Sequence, residues 1–584
     1  MIPYVDLKSP EVPKWEENPV NRNRMRAELD HLSHFAGSTL LVDEIALADG
    51  VLHVEFRWPL PDGRLIDLEA IYPDSFPRLR PHVMLRCDPE QYPSRHCAPD
   101  GSLCLLGRDS GLWQSRMTLA DILYSNLAKA LDASKDEDPQ GEPAEVWWNE
   151  TADRSSGNYV LVDSSWNLSG FDQGKVEIEF VVDWGKDRPA IQAAVSKVWS
   201  DTGELLADRS FPLPITLGRR RDTAVFPWKR DDHLPMPVHQ ELPSLLKRLG
   251  HGSRYAKTSG GDIRISATLK RSELQFQTYG DAWVFVLHYS KNIPRITRNG
   301  AQKTKEVGFV VPTYRAGIGD IGSRVPSVGA LRDKTIAIVG LGALGSPLAA
   351  ELAKNGCRKL IVLDCDYVEP GNSIRWAAGA SAWGRQKTEF IKEHTELEYP
   401  WTTVEPISHR IGSASSGTDG AGDHQLLIGL MDEADLVIDA AASTGVSFFL
   451  ADCCRALHVP MICVYASTTL KGGIVAFHHP ESGCPVCKEI AYAAGTIDRP
   501  PGMGDSQGLI QPPGCSEPTF TGASFDLQEL TLEAVRMAVD VLSRPQDFEV
   551  SLVHTLALHD GLKRIPPAWN VDELQPSPAC GCLT

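Results

Sequence analysis

Runs of consecutive apolar residues, separated by a glycine-rich turn and a helical pattern, mark the C-terminal part of the chain. Ile336–Val339 and Leu360–Leu363 are such runs, which are typical of strands buried on both faces of a parallel sheet. Between them, "SPLAAELAKNG" places small apolar residues at helical spacing, and "ADLVIDAA" and "PMICVYAS" repeat the apolar run farther along. The pattern predicts a doubly wound α/β domain over residues 326–584.

The N-terminal region alternates between apolar and polar residues, a pattern that predicts strands with one buried face. "LHVEFRW" and "LIDLEAIY" flank the turn Pro61-Asp62-Gly63 and predict a hairpin. "MTLADILYSNLAKAL" then has helical spacing, with Thr118 as its N-cap. These elements predict an α+β domain over residues 1–150.

Residues 151–325 carry no chemical motif. "KVEIEFVVDW" and "DAWVFVLHYS" alternate with period two and predict strands, whereas residues 209–240 are interpreted as an irregular connection. The pattern favours a β-rich linker or scaffold domain.

Composition and charge exclude several classes of protein. The net charge of −18 argues against a nucleic-acid-binding protein that works by neutralising phosphates. No run of eighteen apolar residues predicts a membrane span, and the first residues lack the pattern of a secretory signal, so we expect a cytoplasmic protein. The thirteen cysteines are an odd number without the spacing of a disulfide framework, so we expect buried, metal-bound or catalytic thiols.

A glycine turn joins the first apolar run to the helix. Gly340, Gly342 and Gly345 form G-x-G-x-x-G, which allows a tight turn and directs a helix N-terminus at a phosphate. The second apolar run is followed by Asp364 and Asp366, which are placed to bind a ribose hydroxyl. These five residues fit a nicotinamide- or flavin-dependent oxidoreductase equally well.

Three residues that follow this acidic strand end favour a different chemistry. Asn372, Arg375 and Lys387 form a polar cluster that hydride transfer does not need. Attack of a carboxylate on the α-phosphate of ATP does need one, because negative charge spreads over that phosphate and the leaving pyrophosphate. Asp439, which ends the strand in "DLVID", faces the same crevice and is predicted to help hold Mg²⁺.

The order and spacing of the glycine turn, the D-x-D strand end and the downstream Asn, Arg and Lys resemble the ubiquitin-activating and ThiF/MoeB adenylation family. The resemblance covers roughly residues 326–584. It implies ATP-dependent adenylation of the C-terminal carboxylate of a ubiquitin-like protein, in a dimer formed through the adenylation domains. One departure concerns the metal, because Ala442 stands where the family has a Mg²⁺-binding aspartate, which leaves Asp439 as the predicted ligand.

Two cysteine pairs lie late in the chain. Cys484 and Cys487 form C-x-x-C, and Cys580 and Cys582 form C-x-C near the end. By the same resemblance the four thiolates bind a structural Zn²⁺ that pins the C-terminus to the core. The alternative is four reduced thiols without a metal.

Two further cysteines carry the predicted thioester chemistry. Cys515 follows Pro-Pro-Gly, and by resemblance to the activating family it accepts the adenylated protein. Around Cys104, the order of hairpin, "YPDSFP", His96, "GSLCL", Trp113 and Thr-capped helix resembles ubiquitin-conjugating enzymes, which implies that Cys104 is the final thioester carrier. "HCAP" replaces the usual His-Pro-Asn, so the asparagine near the oxyanion is missing, and Cys97 is interpreted as incidental.

A conjugating domain followed by a linker and an activating domain resembles the fused enzymes of bacterial ubiquitin-like conjugation, in particular those of CBASS antiphage operons. The resemblance implies a partner with a flexible C-terminus, either ubiquitin-like or a cGAS/DncV-like nucleotidyltransferase, and conjugation to target lysines. The alternatives are an adenylyltransferase for sulfur-carrier proteins with an N-terminal binding module, an oxidoreductase, and a scaffold with degenerate sites.

Overall fold

The computed structural model describes residues 19–48, 50–93, 95–106, 112–132, 147–154, 157–185, 188–209, 221–234, 242–249, 255–258, 261–275, 278–296, 302–413, 422–505, 509–510 and 519–582. These residues form two compact units, one up to Gly317 and one from Ile318 onward. The first unit holds both the predicted N-terminal and middle domains, so the division at residue 150 stays a prediction. No helix in these ranges is long and apolar enough to cross a membrane.

The first unit begins with a helix and a four-stranded antiparallel sheet in the order β1-β2-β3-β4. Its elements are α1 (Pro19–Ala36), β1 (Leu41–Val42), α2 (Glu44–Ala48), β2 (His53–Pro59), β3 (Leu65–Ile71), β4 (His82–Leu85), α3 (Leu119–Ile122), α4 (Ala128–Asp132) and α5 (Trp147–Glu150). The predicted hairpin is confirmed as β2 and β3. The predicted helix is also confirmed, with a π-helical turn between α3 and α4 and a capping box formed by Thr118 and Asp121.

The rest of the first unit is a ten-stranded sheet in the order β13-β12-β11-β9-β6-β7-β5-β14, with β10 beside β11 and β8 beside β7. Its elements are β5 (Tyr159–Val162), β6 (Gln173–Trp184), β7 (Pro189–Ser200), β8 (Leu205–Asp208), β9 (Asp222–Arg230), α6 (Leu242–Leu249), β10 (Ala256–Thr258), β11 (Gly261–Gln275), β12 (Thr278–Ile296), β13 (Gln302–Val311) and β14 (Thr313–Arg315). The β-rich prediction is therefore confirmed.

The prediction of an irregular connection over residues 209–240 is wrong for the part that forms β9. This strand pairs with β6 and β11 in the middle of the sheet and buries Phe226 and Trp228. Pro227 lies between these two buried rings and faces outward. Proline is rare inside a central strand, and it concealed the alternation of buried and exposed positions.

The second unit is built on an eight-stranded sheet in the order β17-β16-β15-β18-β19-β20-β23-β24. Its elements are α7 (Ile318–Gly322), β15 (Thr335–Val339), α8 (Gly345–Lys354), β16 (Lys359–Leu363), α9 (Lys387–Glu398), β17 (Thr403–Ile407), α10 (Asp423–Glu433), β18 (Leu436–Asp439), α11 (Thr444–Ala456), β19 (Met461–Ala466), β20 (Gly472–His478), α12 (Pro485–Ala494), β21 (Leu509–Ile510), β22 (Thr519–Phe520), α13 (Ser524–Ser543), β23 (Ser551–Asp560) and β24 (Lys563–Leu574).

Helices cover both faces of this sheet, which confirms the predicted doubly wound domain. Ile336 and Ile338 of β15 point into one core with α8 and α13, while Ala337 and Val339 point into another with α10 and α11. Strands β15 to β19 are parallel, so their carboxyl ends meet at one edge of the sheet. Crevices for ligands lie at this edge in open α/β sheets.

Candidate active site

In the turn between β15 and α8, two of the three glycines pack against backbone atoms and the third faces open space. Gly340 has a φ of +89°, and a Cβ there would lie 2.8 Å from the carbonyl of Ala440. A Cβ on Gly345 would lie 1.8 Å from the carbonyl oxygen of Gly340, whereas a Cβ on Gly342 would meet no atom within 4 Å. Two glycines therefore allow the turn itself, and the third leaves the space in front of the helix N-terminus clear.

Asp364, Asp366 and Lys387 come together beside this turn. One carboxylate oxygen of Asp364 accepts the N–H of Leu341, at 2.6 Å, and so fixes the turn. The Lys387 Nζ lies 3.0 Å from a carboxylate oxygen of Asp366 and 3.6 Å from one of Asp364. Partial burial opposes ionisation of Asp366, but Lys387, with smaller contributions from Cys365 and Arg410, outweighs it and the pKa of the Asp366 carboxyl is lowered.

Asn372 and Arg375 make protein contacts that the sequence did not indicate. The Asn372 side-chain oxygen accepts the Glu369 N–H, at 2.8 Å, and closes a short helical turn. Arg375 donates to the carbonyl of Phe520, at 2.5 Å, and its guanidinium lies 4.6 Å from the centre of the Phe520 ring. Partial burial lowers the pKa of Arg375. The structure thus brings Lys387 to the two aspartates and Arg375 to Phe520.

Asp439 lies at the strand-end edge, as predicted, because it pairs with Val339 across β15 and β18. Its two carboxylate oxygens accept the Ser447 hydroxyl and the Ala441 N–H, and burial raises the pKa of the carboxyl. Ala442 adds no ligand, and its φ is +53°. A hard cation needs ionised, accessible oxygens. Asp439 also borders a cavity at this edge, and each of its oxygens keeps a second lone pair, so Mg²⁺ at Asp439 stays a prediction.

A cavity of about 250 Å³ opens between the ends of β18 and β19 and the starts of α11 and α12. Its wall includes Asp439, Ala442, Ser447, Tyr465, Ser467 and Lys488. Lys488 is buried, donates to the Tyr465 hydroxyl at 2.9 Å and lies 4.6 Å from the centre of that ring. Sequence reasoning missed Lys488, because the only local signal is its place directly after the C-x-x-C pair.

The four late cysteines form one cluster, as the sequence predicted. The Sγ atoms of Cys484 and Cys580 are 3.4 Å apart, and those of Cys487 and Cys582 are 3.5 Å apart. All four sulfurs lie within 4.8 Å of one another. This donor set fits a structural Zn²⁺, which thiolates bind as a tetrahedron with Zn–S distances of about 2.3 Å. Such an ion would tie the C-terminal segment to the start of α12.

Cys104 ends a short antiparallel ribbon, residues 96–104, in which Cys97 pairs with Leu103 and which lies beside β4. The N–H of Cys104 donates to the carbonyl of His96, at 2.8 Å, and Leu103 donates to the carbonyl of Val83, at 2.7 Å. The Cys104 side chain is half-buried, whereas Cys97 lies fully in the core, as expected for an incidental cysteine. Cys515, the other predicted thioester carrier, lies outside the described residues.

Comparison with known proteins identifies the family. Residues 316–513 match the ThiF family. The uncharacterized protein y4qC of Sinorhizobium fredii is 50% identical over 587 residues, covering all of both chains. The chain belongs to one family with y4qC and carries a ThiF-family adenylation domain.

Two named relatives match this chain over shorter stretches. The adenylyltransferase and sulfurtransferase MOCS3-1 of Zea mays is 27% identical over 158 residues, which are 27% of this chain and 31% of that protein. The ATP-dependent ubiquitin transferase-like protein Cap2 of Enterobacter hormaechei is 25% identical over 215 residues, which are 37% of this chain and 34% of Cap2. The chain thus matches about a third of the length of each.

Proposed function

We propose that the ThiF-family domain uses ATP to adenylate the C-terminal carboxylate of a partner protein. The observation that carries this proposal is the cluster of Lys387, Asp364 and Asp366 beside the open glycine turn. The Lys387 cation, at the start of α9, and the Asp364 carboxylate, which orders the glycine turn, suit a nucleotide whose phosphates lie over the N-terminus of α8. The ribose hydroxyls would then hydrogen-bond to Asp364 and Asp366, which follow β16.

The reaction joins a carboxylate oxygen of the partner to the α-phosphorus of ATP and breaks the bond from that phosphorus to the bridging oxygen. Pyrophosphate leaves, and the acyl adenylate remains. Lys387 and Arg375 would stabilise the charge that develops on the α-phosphate and the leaving group. The partner carboxylate would enter through the cavity that Lys488 lines, on the opposite side of β15 from the acidic strand end.

A thioester relay would follow adenylation. The Cys515 thiolate attacks the acyl carbon, and AMP leaves; the Cys104 thiolate then attacks the same carbon, and the Cys515 thiolate leaves. A target lysine amine finally displaces Cys104 and forms an isopeptide bond. The half-buried Cys104 at the end of its ribbon and the match to Cap2 support this proposal.

The remaining assignments of the proposal follow from the family resemblance. The partner is a ubiquitin-like or cGAS/DncV-like protein with a flexible C-terminus. The N-terminal domain is ubiquitin-conjugating-like, and the chain works as a cytoplasmic homodimer. Zn²⁺ at the four cysteines has a structural role only.

ATP–pyrophosphate exchange tests the adenylation step. Purified proteins encoded beside the gene serve as partners, and each is compared with a version whose C-terminal carboxylate is blocked as an amide. We expect exchange only with an intact partner, and strongly reduced exchange with Lys387→Ala. Exchange that does not depend on a partner C-terminus, or on Lys387, would contradict the proposal.

Activation of a sulfur-carrier protein is the second candidate function, and the match to MOCS3-1 favours it. In that case the N-terminal domain only binds a partner, and Cys104→Ala leaves product formation intact. A thiol-sensitive protein adduct that disappears in Cys104→Ala would exclude this candidate.

A further inference from the structure

A buried ion pair joins the ribbon that carries Cys104 to the ten-stranded sheet. An Arg95 guanidinium nitrogen lies 2.6 Å from a carboxylate oxygen of Glu273, and the two side chains are 6% and 1% exposed. Arg95 directly precedes His96, and Glu273 lies near the end of β11 at an irregularity in its pairing with β12. Both residues belong to the first unit.

Hydrogen bonds continue from this pair to Cys104. The backbone carbonyl of His96, the residue after Arg95, accepts the Cys104 N–H. Cys97 pairs with Leu103 in an antiparallel bridge one step farther along the ribbon. Any shift of Arg95 therefore moves the backbone to which Cys104 is bonded.

Stability alone is a poor explanation for such a pair. Removing two charges from water costs free energy that their attraction often does not recover, so a buried pair is weak evidence of a stabilising role. Buried polar contacts whose partners are all satisfied can instead rigidify a structure and specify one geometry. Arg57 and Asp67 form an ion pair in the same unit whose side chains are 57% and 51% exposed, so this pair serves as a solvent-exposed comparison.

We propose that Arg95 and Glu273 are positioning residues that hold the Cys104 ribbon in its acceptor geometry. The ten-stranded sheet then has a role in thioester transfer, because one of its carboxylates fixes the ribbon. This inference rests on the proposed function of Cys104. It adds that the Glu273 carboxylate acts on the transfer step and leaves adenylation unaffected.

The test measures the rate at which iodoacetamide alkylates individual thiols, by peptide mass spectrometry at several pH values, without ATP or partner. Exposed Cys87 is the internal reference, and core Cys97 reports any global unfolding. In Glu273→Gln we expect Cys104 to react at least about fivefold faster relative to Cys87, while Cys97 stays unreactive. The matched control Arg57→Gln should leave the ratio unchanged.

Two double variants separate positioning from stability. The charge swap Arg95→Glu with Glu273→Arg should restore the wild-type ratio to within about twofold, because the tether is rebuilt. Arg95→Met with Glu273→Met should restore stability but leave Cys104 alkylation fast, because no directional contact replaces the ion pair. An unchanged ratio in folded Glu273→Gln, or full restoration by the methionine pair, would overturn the inference.

A second readout links the pair to transfer. With an ATP-activated partner, Glu273→Gln should form the Cys104 thioester more slowly while ATP–pyrophosphate exchange stays at the wild-type rate. Equal loss of exchange and transfer would contradict a positioning role. Absence of exchange in the wild-type protein would instead contradict the proposed function, while the alkylation result would still stand.

Discussion

The guanidinium of Arg375 stacks on the ring of Phe520 and donates to its backbone carbonyl. Phe520 lies in β22, which pairs with β21 so that Leu509 is opposite Phe520. The described residues on the two sides of the Cys515 segment are therefore joined to each other and to Arg375. Arg375, which the sequence predicts to act on ATP, thus contacts a residue close in sequence to Cys515, the proposed first transfer cysteine.

The first prediction concerns this arginine. Arg375→Ala should slow ATP–pyrophosphate exchange by roughly 100-fold, the usual effect of removing one charge-stabilising donor. Phe520→Leu keeps the carbonyl but removes the aromatic ring, so we expect only about a threefold loss. Arg536→Ala is the control, because Arg536 is exposed on α13 and pairs only with Glu533 among its described contacts. Unchanged exchange in Arg375→Ala would remove Arg375 from the site.

The second prediction concerns Lys387 and its carboxylate partners. Lys387→Met removes the cation beside the glycine turn and should slow exchange by roughly 100-fold. Lys387→Arg keeps the charge but changes its shape, so we expect partial activity. Lys392→Met is the control, since Lys392 lies on the same helix and pairs with Glu396 at 2.8 Å. A Lys387→Met protein as active as the control would contradict the assignment.

The third prediction concerns zinc. We expect about one Zn²⁺ per chain by elemental analysis of the purified protein, bound by the four clustered thiols. Cys580→Ser should lose the metal and lower the melting temperature by roughly 5 °C. Cys357→Ser is the control, because Cys357 is buried outside the cluster and burial raises its pKa to about 12. A metal-free wild-type protein would support the alternative of reduced thiols.

The fourth prediction concerns the pH dependence of stability. Glu533 of α13 and His554 of β23 lie 2.8 Å apart, and the hydrogen bond from His554 lowers the pKa of Glu533. A depressed carboxyl pKa contributes stability above the unfolded-state pKa, and this contribution is lost as the pH falls through the folded-state pKa. Glu533→Gln should therefore lower the free energy of unfolding by about 1 kcal/mol at pH 7, measured in urea.

The difference in the free energy of unfolding between Glu533→Gln and the wild-type protein should disappear in acid, once Glu533 is protonated in the wild-type protein. Asp540→Asn on the same helix is the control, because Asp540 forms an exposed pair with Arg544 that contributes less than about 0.5 kcal/mol. A Glu533→Gln effect of equal size at acid and neutral pH would show that packing, and not ionisation, is responsible.

Local patterns explain which features were predictable. The apolar runs of β15 and β16 predicted the α/β domain, because strands buried on both faces leave no polar positions. The cluster of four cysteines was predicted from the family resemblance, because closely spaced thiols can bind the same metal ion. The strand β9 was not, because Pro227 interrupts its pattern.

Contacts between distant segments were not predictable. Arg375 and Phe520 are 145 residues apart, and neither carries a local signal for the other. Lys488 and the Arg95–Glu273 pair likewise depend on which elements the fold brings together. The sequence predicted that Asp439 lies at a strand end, but not that the Ser447 hydroxyl and the Ala441 N–H, from the following helix and turn, donate to its oxygens.

The central claim is that the acyl group of the partner's C-terminus passes from its adenylate through Cys515 to Cys104. Its most direct test is intact-mass spectrometry under non-reducing conditions, with ATP and a partner that supports pyrophosphate exchange. We expect a thiol-sensitive adduct on Cys104 in the wild-type chain, and in Cys515→Ala we expect pyrophosphate exchange but no adduct on Cys104. Normal ATP-dependent charging of Cys104 in Cys515→Ala would contradict the relay.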